Sequence, residues 1–254
     1  NLVSEQVFIY GKHAVLAAIA NSKRVIDSLY LLKENKDFNL DVKLLLNKYK
    51  VDINIKYINN NFIDSILKKR VKHQGIVAKS NKLKLNNYEQ IFYKYKFKNG
   101  VIIDSITDPN NVGAIYRSAK AFGIDFIINS KKNAITENNA LLNSACGAFE
   151  TVNTYVASNI SNAIKSLISE GWWVIGLDHK AKINISDIIN KMKQQDKFIF
   201  ILGSEGKGIR RLIKENCNFL ASIPNAPNTN SMNVSNAAAI VFYETYKMRN
   251  NIIN

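Results

Sequence analysis

The chain has 254 residues, with 35 Lys+Arg against 20 Asp+Glu, a formal net charge of +15, 46% hydrophobic residues and only 3 Pro. That mixture excludes a disordered tail or a low-complexity fibre, and the length allows one large domain or two modest ones. No apolar run approaches the roughly 20 residues that span a bilayer, residues 1–6 carry no basic-then-apolar signal pattern, and two cysteines, Cys146 and Cys217, rule out a disulfide framework or a Cys-rich zinc site. His13, His73 and His179 have no metal-ligand spacing and read, like both cysteines, as structural or incidental. The expectation is a cytoplasmic, metal-free, basic protein.

The predicted elements begin with a helix over 11–19, a strand over 26–32, a helix over 37–49 with an apolar stripe at 38, 42, 45, 46 and 49, and a strand over 52–58. That strand alternates, with Ile53, Ile55 and Tyr57 on one face. A helix over 62–69 and a strand over 75–78 complete a small α/β domain, 1–80. Lys- and Asn-rich residues 81–98 break the pattern and read as a linker. A third unit, 99–254, alternates strands over 101–106, 125–129, 151–156, 172–177, 198–202 and 219–223 with helices over 112–122, 137–146, 159–170, 209–215 and 234–248. Buried-looking strands separated by helices predict a mainly parallel sheet covered on both faces.

The charge is uneven along this plan. Residues 1–98 hold 19 Lys+Arg and 8 Asp+Glu, whereas residues 99–254 hold 16 and 12. The densest stretches are 68–72 and 79–84, and Tyr93 and Tyr95 alternate with Lys94, Lys96 and Lys98. A polyanion partner fits, with nucleic acid ahead of a membrane surface because no strongly amphipathic basic helix is present; a solvated lysine-rich face fits the same composition.

Ligands of open parallel sheets bind at the carboxyl ends of the strands, so the strand-to-helix loops matter most. The first runs Thr107-Asp108-Pro109-Asn110-Asn111, a turn and helix-cap signal, with Arg117 six residues after Asn111. An Arg there suits a phosphate or carboxylate; a capped helix with a surface Arg accounts for the same residues. The second, Gly203-Ser204-Glu205-Gly206-Lys207-Gly208, is neither a Walker A loop nor Gly-x-Gly-x-x-Gly. Its Glu205 would repel a phosphate and suits a cationic or hydroxyl-bearing ligand; a plain glycine turn is the alternative. The third spans 223–233 with two prolines, and Ser231 or Asn233 is placed to cap the following helix.

Together, residues 104–123 (DSITDPNNVGAIYRSAKAFG), 201–210 (ILGSEGKGIR) and 223–244 (IPNAPNTNSMNVSNAAAIVFYE) resemble the three motifs of the SpoU (TrmH-type) RNA ribose 2′-O-methyltransferases, in order and spacing. Residues 11–15 (GKHAV) and 73–78 (HQGIVA) resemble the family's N-terminal substrate-binding domain. The resemblance implies a C-terminal α/β methyltransferase domain with a trefoil knot, a homodimer with active sites at the subunit interface, RNA as partner and S-adenosylmethionine as cofactor. It maps cofactor contacts to Leu202, Gly203, Ile223, Ser231 and Met232, and catalytic or substrate contacts to Asn111, Arg117, Glu205, Ser231 and Asn233. Residues 224–227 (PNAP) depart from the family's usual apolar residue and Gly after the proline. Arg117 is the family's candidate base, but a guanidinium stays protonated, so holding phosphate and stabilising a developing alkoxide suits it better.

Glu205 is placed to fix either Arg117 or Asn111. The two-domain plan resembles enzymes that methylate a guanosine of 23S ribosomal RNA, with transfer RNA as the alternative substrate. A catalytically inactive RNA-binding assembly protein on the same fold is disfavoured by the retained Arg117, Glu205 and Asn233. A nicotinamide-dependent dehydrogenase lacks its glycine fingerprint.

Overall fold

The computed structural model describes residues 5–67, 70–94, 96–131, 137–227 and 231–252. The expectations for Lys68, Lys69, Tyr95 and residues 228–230 lie outside the described residues. The chain divides into two compact units, residues 1–84 with 136–151, and residues 85–135 with 152–254.

The first unit opens with β1 (Gln6–Tyr10), α1 (Lys12–Ala20), β2 (Ile26–Leu32), α2 (Lys36–Tyr49), β3 (Asn54–Ile58), α3 (Asn60–Leu67) and β4 (Ile76–Asn81). Its sheet runs β1–β4–β2–β3, antiparallel except for β2 and β3. Strand β1, which no alternation announces, is set by its pairing with β4. The face expected to bury Tyr57 leaves it 39% exposed, because β3 lies at the sheet edge. On α2, Val42 and Leu46 enter the core while Asn39 takes the position between turns, its Nδ2 donating to the Leu32 carbonyl at 2.9 Å.

The second unit contributes β5 (Asn86–Asn87), a 3₁₀ turn over Tyr88–Tyr93, β6 (Asn99–Ile103), α4 (Pro109–Ala121) and β7 (Phe126–Ser130). The stretch read as a linker thus supplies an edge strand and two core residues, Tyr88 and Ile91. The chain then returns to the first unit for α5 (Asn139–Ala145) and α6 (Ala148–Thr151). The helix expected over 137–146 exists, but it packs with the N-terminal sheet instead of covering the parallel one. A buried ionic cluster explains why: Arg24 donates to Glu137 through Nη1 at 2.5 Å and to Glu150 through Nη2 at 2.5 Å. Between the helices Gly147 has φ +84°, and a Cβ there would lie 2.8 Å from the His13 carbonyl oxygen on α1.

The second unit resumes with β8 (Asn153–Ala157), α7 (Ile160–Ser169), β9 (Trp172–Leu177), β10 (Ile183–Asn184), α8 (Ile185–Ile189), β11 (Lys197–Leu202), α9 (Arg211–Lys214), β12 (Phe219–Ser222) and α10 (Val234–Arg249). Eight strands run in the order β10–β12–β9–β11–β6–β7–β8–β5, every pair parallel. Helix α7 shows the covering logic. Asn159 caps its N-terminus, and Ile160, Ala163, Ile164 and Leu167 bury one stripe against the sheet. Each of the Ile and Leu side chains contributes about 1.5–3 kcal/mol. From β6 the chain builds outward to β7 and β8, then crosses to place β9, β11 and β12 on the other side. The β6–β11 boundary is therefore the topological switch point, and three loops converge on its carboxyl edge.

Candidate active site

Strand β6 stops at Ile103, short of the expected Ile106, because Ser105 takes φ +60° and leaves the extended region. Asp108 then caps α4, accepting the Asn110 N–H at 2.9 Å, with Pro109 in the first turn. This seats Asn111 at the start of α4 with its side chain buried. The second loop folds tightly on itself: the Gly208 N–H donates to the Ser204 carbonyl at 2.8 Å. Only glycine fits at 203, where a Cβ would come within 2.2 Å of the Gly208 carbonyl carbon. The turn presents Glu205. In the third loop, Asn233 caps α10 through Oδ1, which accepts the Ser235 N–H at 2.9 Å and leaves its Nδ2 available.

These three side chains close a triangle. Asn111 Nδ2 donates to Glu205 Oε1 at 2.6 Å, and Asn233 Nδ2 donates to the same oxygen at 3.0 Å and to Asn111 Oδ1 at 3.1 Å. Of the two partners open to Glu205 on sequence grounds, the carboxylate takes Asn111, and it takes Asn233 besides. Arg117 is exposed and, among the described residues, bonds to none of the three. Six residues along a helix turn it about 240° from Asn111.

Beside the triangle lies a cleft at the ends of β9, β11 and β12. Leu202, Gly203, Ile223, Ser231 and Met232 all line it, with Glu205 at its rim. Asp178 and His179 line it too, although the sequence reading passed over the first and took the second as incidental. Their position just after β9 was the available signal. Partial burial pushes the Asp178 carboxyl up, but the Lys214 ammonium at 2.6 Å, the Lys180 N–H and His179 together bring it below its ordinary value. A second missed pair spans the switch point: Arg210 forks onto Asp104, through Nε at 3.1 Å and Nη2 at 2.6 Å.

Among the described residues no Lys or Arg lines the cleft, whereas Asp178 and Glu205 do. Such a lining disfavours a phosphate-bearing cofactor and fits one that carries positive charge beside apolar and planar parts, as S-adenosylmethionine does. A parallel sheet with this cleft at the carboxyl ends of β9, β11 and β12 and an Asn–Glu–Asn triangle alongside describes an α/β enzyme.

Residues 98–243 match the SpoU rRNA methylase family, and residues 8–85 match the RNA 2′-O ribose methyltransferase substrate-binding family. The chain belongs to the SpoU rRNA methylase family. It is 31% identical to the 23S rRNA (guanosine-2′-O-)-methyltransferase of Haemophilus influenzae, over 97% of this chain and 99% of that one. An uncharacterized tRNA/rRNA methyltransferase of Borreliella burgdorferi is 36% identical, over 78% of this chain and 90% of its own. Among solved structures, the SpoU methyltransferase AviRb from Streptomyces viridochromogenes, crystallised with AdoMet, aligns with a TM-score of 0.77. It shares 18% identity, over 96% of this chain and 90% of that one, and so bears on the fold.

Proposed function

We propose that this chain transfers the methyl group of S-adenosylmethionine to the ribose 2′-hydroxyl of a guanosine in 23S ribosomal RNA. The observation that carries the reading is the Asn111–Glu205–Asn233 triangle beside a cleft that no Lys or Arg among the described residues lines. The choice of nucleotide rests on the full-length similarity to enzymes named for that reaction.

When bound, the cofactor supplies an electrophilic methyl on a positively charged sulfur. The chain's task is to align a ribose oxygen with that methyl and let its proton leave. Leu202, Gly203, Ile223, Ser231 and Met232 hold the cofactor, largely through backbone groups, and Gly203 admits close approach. Glu205 locks the Asn111 and Asn233 amides, which with Ser231 address the ribose and base edges. Arg117 binds an RNA phosphate and stabilises the developing alkoxide, with the proton passing to phosphate or water. Its exposure, away from the triangle of its own chain, is met by a homodimer in which it serves the partner subunit's site. The protein works on RNA in the cytoplasm.

Mapping 2′-O-methyl groups in ribosomal and transfer RNA, with and without the gene, tests the proposal. Loss of one 23S guanosine mark is the expected result. Loss of a mark only in transfer RNA would replace the substrate, and no change in either pool would remove the activity.

A further inference from the structure

A second groove opens on the same carboxyl edge of the sheet, and its lining residues take no part in the proposed reaction. Ser130 ends β7, Ser158 follows β8 and Ser161 lies in the first turn of α7; Arg210 and Arg211 line the groove as well. Leu212, 69% exposed, lies along the same groove.

Arg210 is not an ordinary surface arginine. Asp104, fully buried at the end of β6, accepts from its Nε at 3.1 Å and its Nη2 at 2.6 Å. A two-point fork fixes the plane of the guanidinium and spends only part of its five N–H donors. Nη1 takes no partner among the described residues, and the side chain stays 53% exposed. Arg211 donates to Glu215 at 2.8 Å through Nε alone and is 90% exposed. Two arginines, one with its guanidinium pre-oriented by a buried carboxylate, thus line an open groove together with Ser130, Ser158, Asn159 and Ser161. That donor set suits a tetrahedral, singly charged oxyanion flanked by an apolar group, the pattern of a phosphodiester with its sugar or base. Arg210 also closes the loop that begins at Gly203 and presents Glu205, which ties the groove to the candidate active site through five residues of chain.

We propose that this groove takes a phosphodiester of the RNA strand next to the nucleotide being methylated, with Arg210 as its pre-oriented anchor. Resting on the proposed function, the inference names where the substrate strand is gripped, and Arg210 is a substrate-positioning residue.

The test uses the full chain, a transcribed 23S RNA fragment carrying the mapped site, and the variants Arg210→Ala, Arg210→Lys and Arg211→Ala. A charge-assisted hydrogen bond lost from phosphate corresponds to about a 10- to 100-fold change. Arg210→Ala should therefore raise KM for RNA by at least tenfold, with a smaller effect on kcat, and Arg210→Lys should recover part of the loss. The slope of log affinity against log salt should flatten by roughly 0.7 for each phosphate contact removed. Replacing one flanking phosphodiester by an uncharged methylphosphonate should weaken binding to the wild type and leave Arg210→Ala indifferent.

Unchanged KM and slope in both alanine variants would overturn the proposal. So would a parallel fall in cofactor affinity, because the fork would then merely hold the loop that carries Gly203. A wild-type protein that binds S-adenosylmethionine but methylates no RNA would instead strike the proposed function itself, and this inference with it.

Discussion

Glu205 accepts both carboxamides at a single oxygen, so a change there is felt at Asn111 and Asn233 together. Glu205→Gln keeps an oxygen in place and should preserve cofactor affinity, whereas Glu205→Ala should cut methyl transfer about 10- to 100-fold, the range of a hydrogen bond to a charged group. Gly203→Ala drives a Cβ into the Gly208 backbone at 2.2 Å and should abolish cofactor binding in a calorimetric titration. Arg117→Ala should abolish transfer while leaving that titration unchanged; Arg117→Lys should retain partial activity with little new pH dependence if the residue clamps phosphate. A rate of Arg117→Lys that rises with pH would mean a side-chain base is needed. Burial pushes the Cys217 thiol up to about 12, so at pH 8 only about one molecule in ten thousand carries the thiolate. Native alkylation at that pH should spare it, and labelling at a free-thiol rate would contradict its burial. Asn111, Glu205 and Asn233 were legible as candidates in the sequence because capping and glycine-turn chemistry mark their loops. Their mutual geometry was not, since 94 and 28 residues of chain separate the partners of Glu205. Asp104 carries no local signal, because its partner Arg210 lies 106 residues further along the chain.

Helices α5 and α6 show where periodicity stops short. Their apolar pattern announces a helix but does not say which sheet it covers, and the decision falls to Arg24, whose side chain is wholly enclosed with Glu137 and Glu150. Asn21 Nδ2 also reaches Glu150 at 2.8 Å, and the Leu83 N–H reaches Glu137 at 2.8 Å. Removing one partner of a buried ionic cluster costs about 3–5 kcal/mol, so Arg24→Met should destabilise by that order in a denaturant titration. Two carboxylates share one guanidinium. Burial raises the Glu137 carboxyl above its ordinary value, opposed by Arg24 and the Leu83 N–H and assisted by the charge of Glu150. A carboxyl that keeps its proton longer in the fold than in the unfolded chain favours folding at low pH and opposes it as pH rises through the native value. Glu137→Gln should therefore flatten the loss of stability on that rising side, and a steeper loss would contradict the shared charge. Most strands of the parallel sheet were legible as continuous apolar runs; β10 and α8 were not, because two and five residues carry no measurable period.

The net positive charge of residues 1–98, 19 Lys+Arg against 8 Asp+Glu, predicts RNA affinity that falls steeply with salt. Neutralising Lys68, Lys69, Arg70 and Lys72 together should flatten that dependence; an unchanged slope would mean they form only a solvated face. Cofactor binding should survive removal of residues 1–84, because every lining residue of the cleft lies beyond them and residues 85–98, with β5, Tyr88 and Ile91, stay with the second unit. The truncated chain should nonetheless lose hydrogen-exchange protection over 137–151, whose ionic and apolar partners are gone. Retained protection there would show that the second unit supports these helices. The chain passes between its two units three times, at 84/85, 135/136 and 151/152. On a translating ribosome the first unit must therefore wait, with Arg24 lacking its two carboxylate partners, until Glu137 and then Glu150 have left the exit tunnel. By then β6, α4 and β7 have already emerged, so the first unit is completed only after the second has begun.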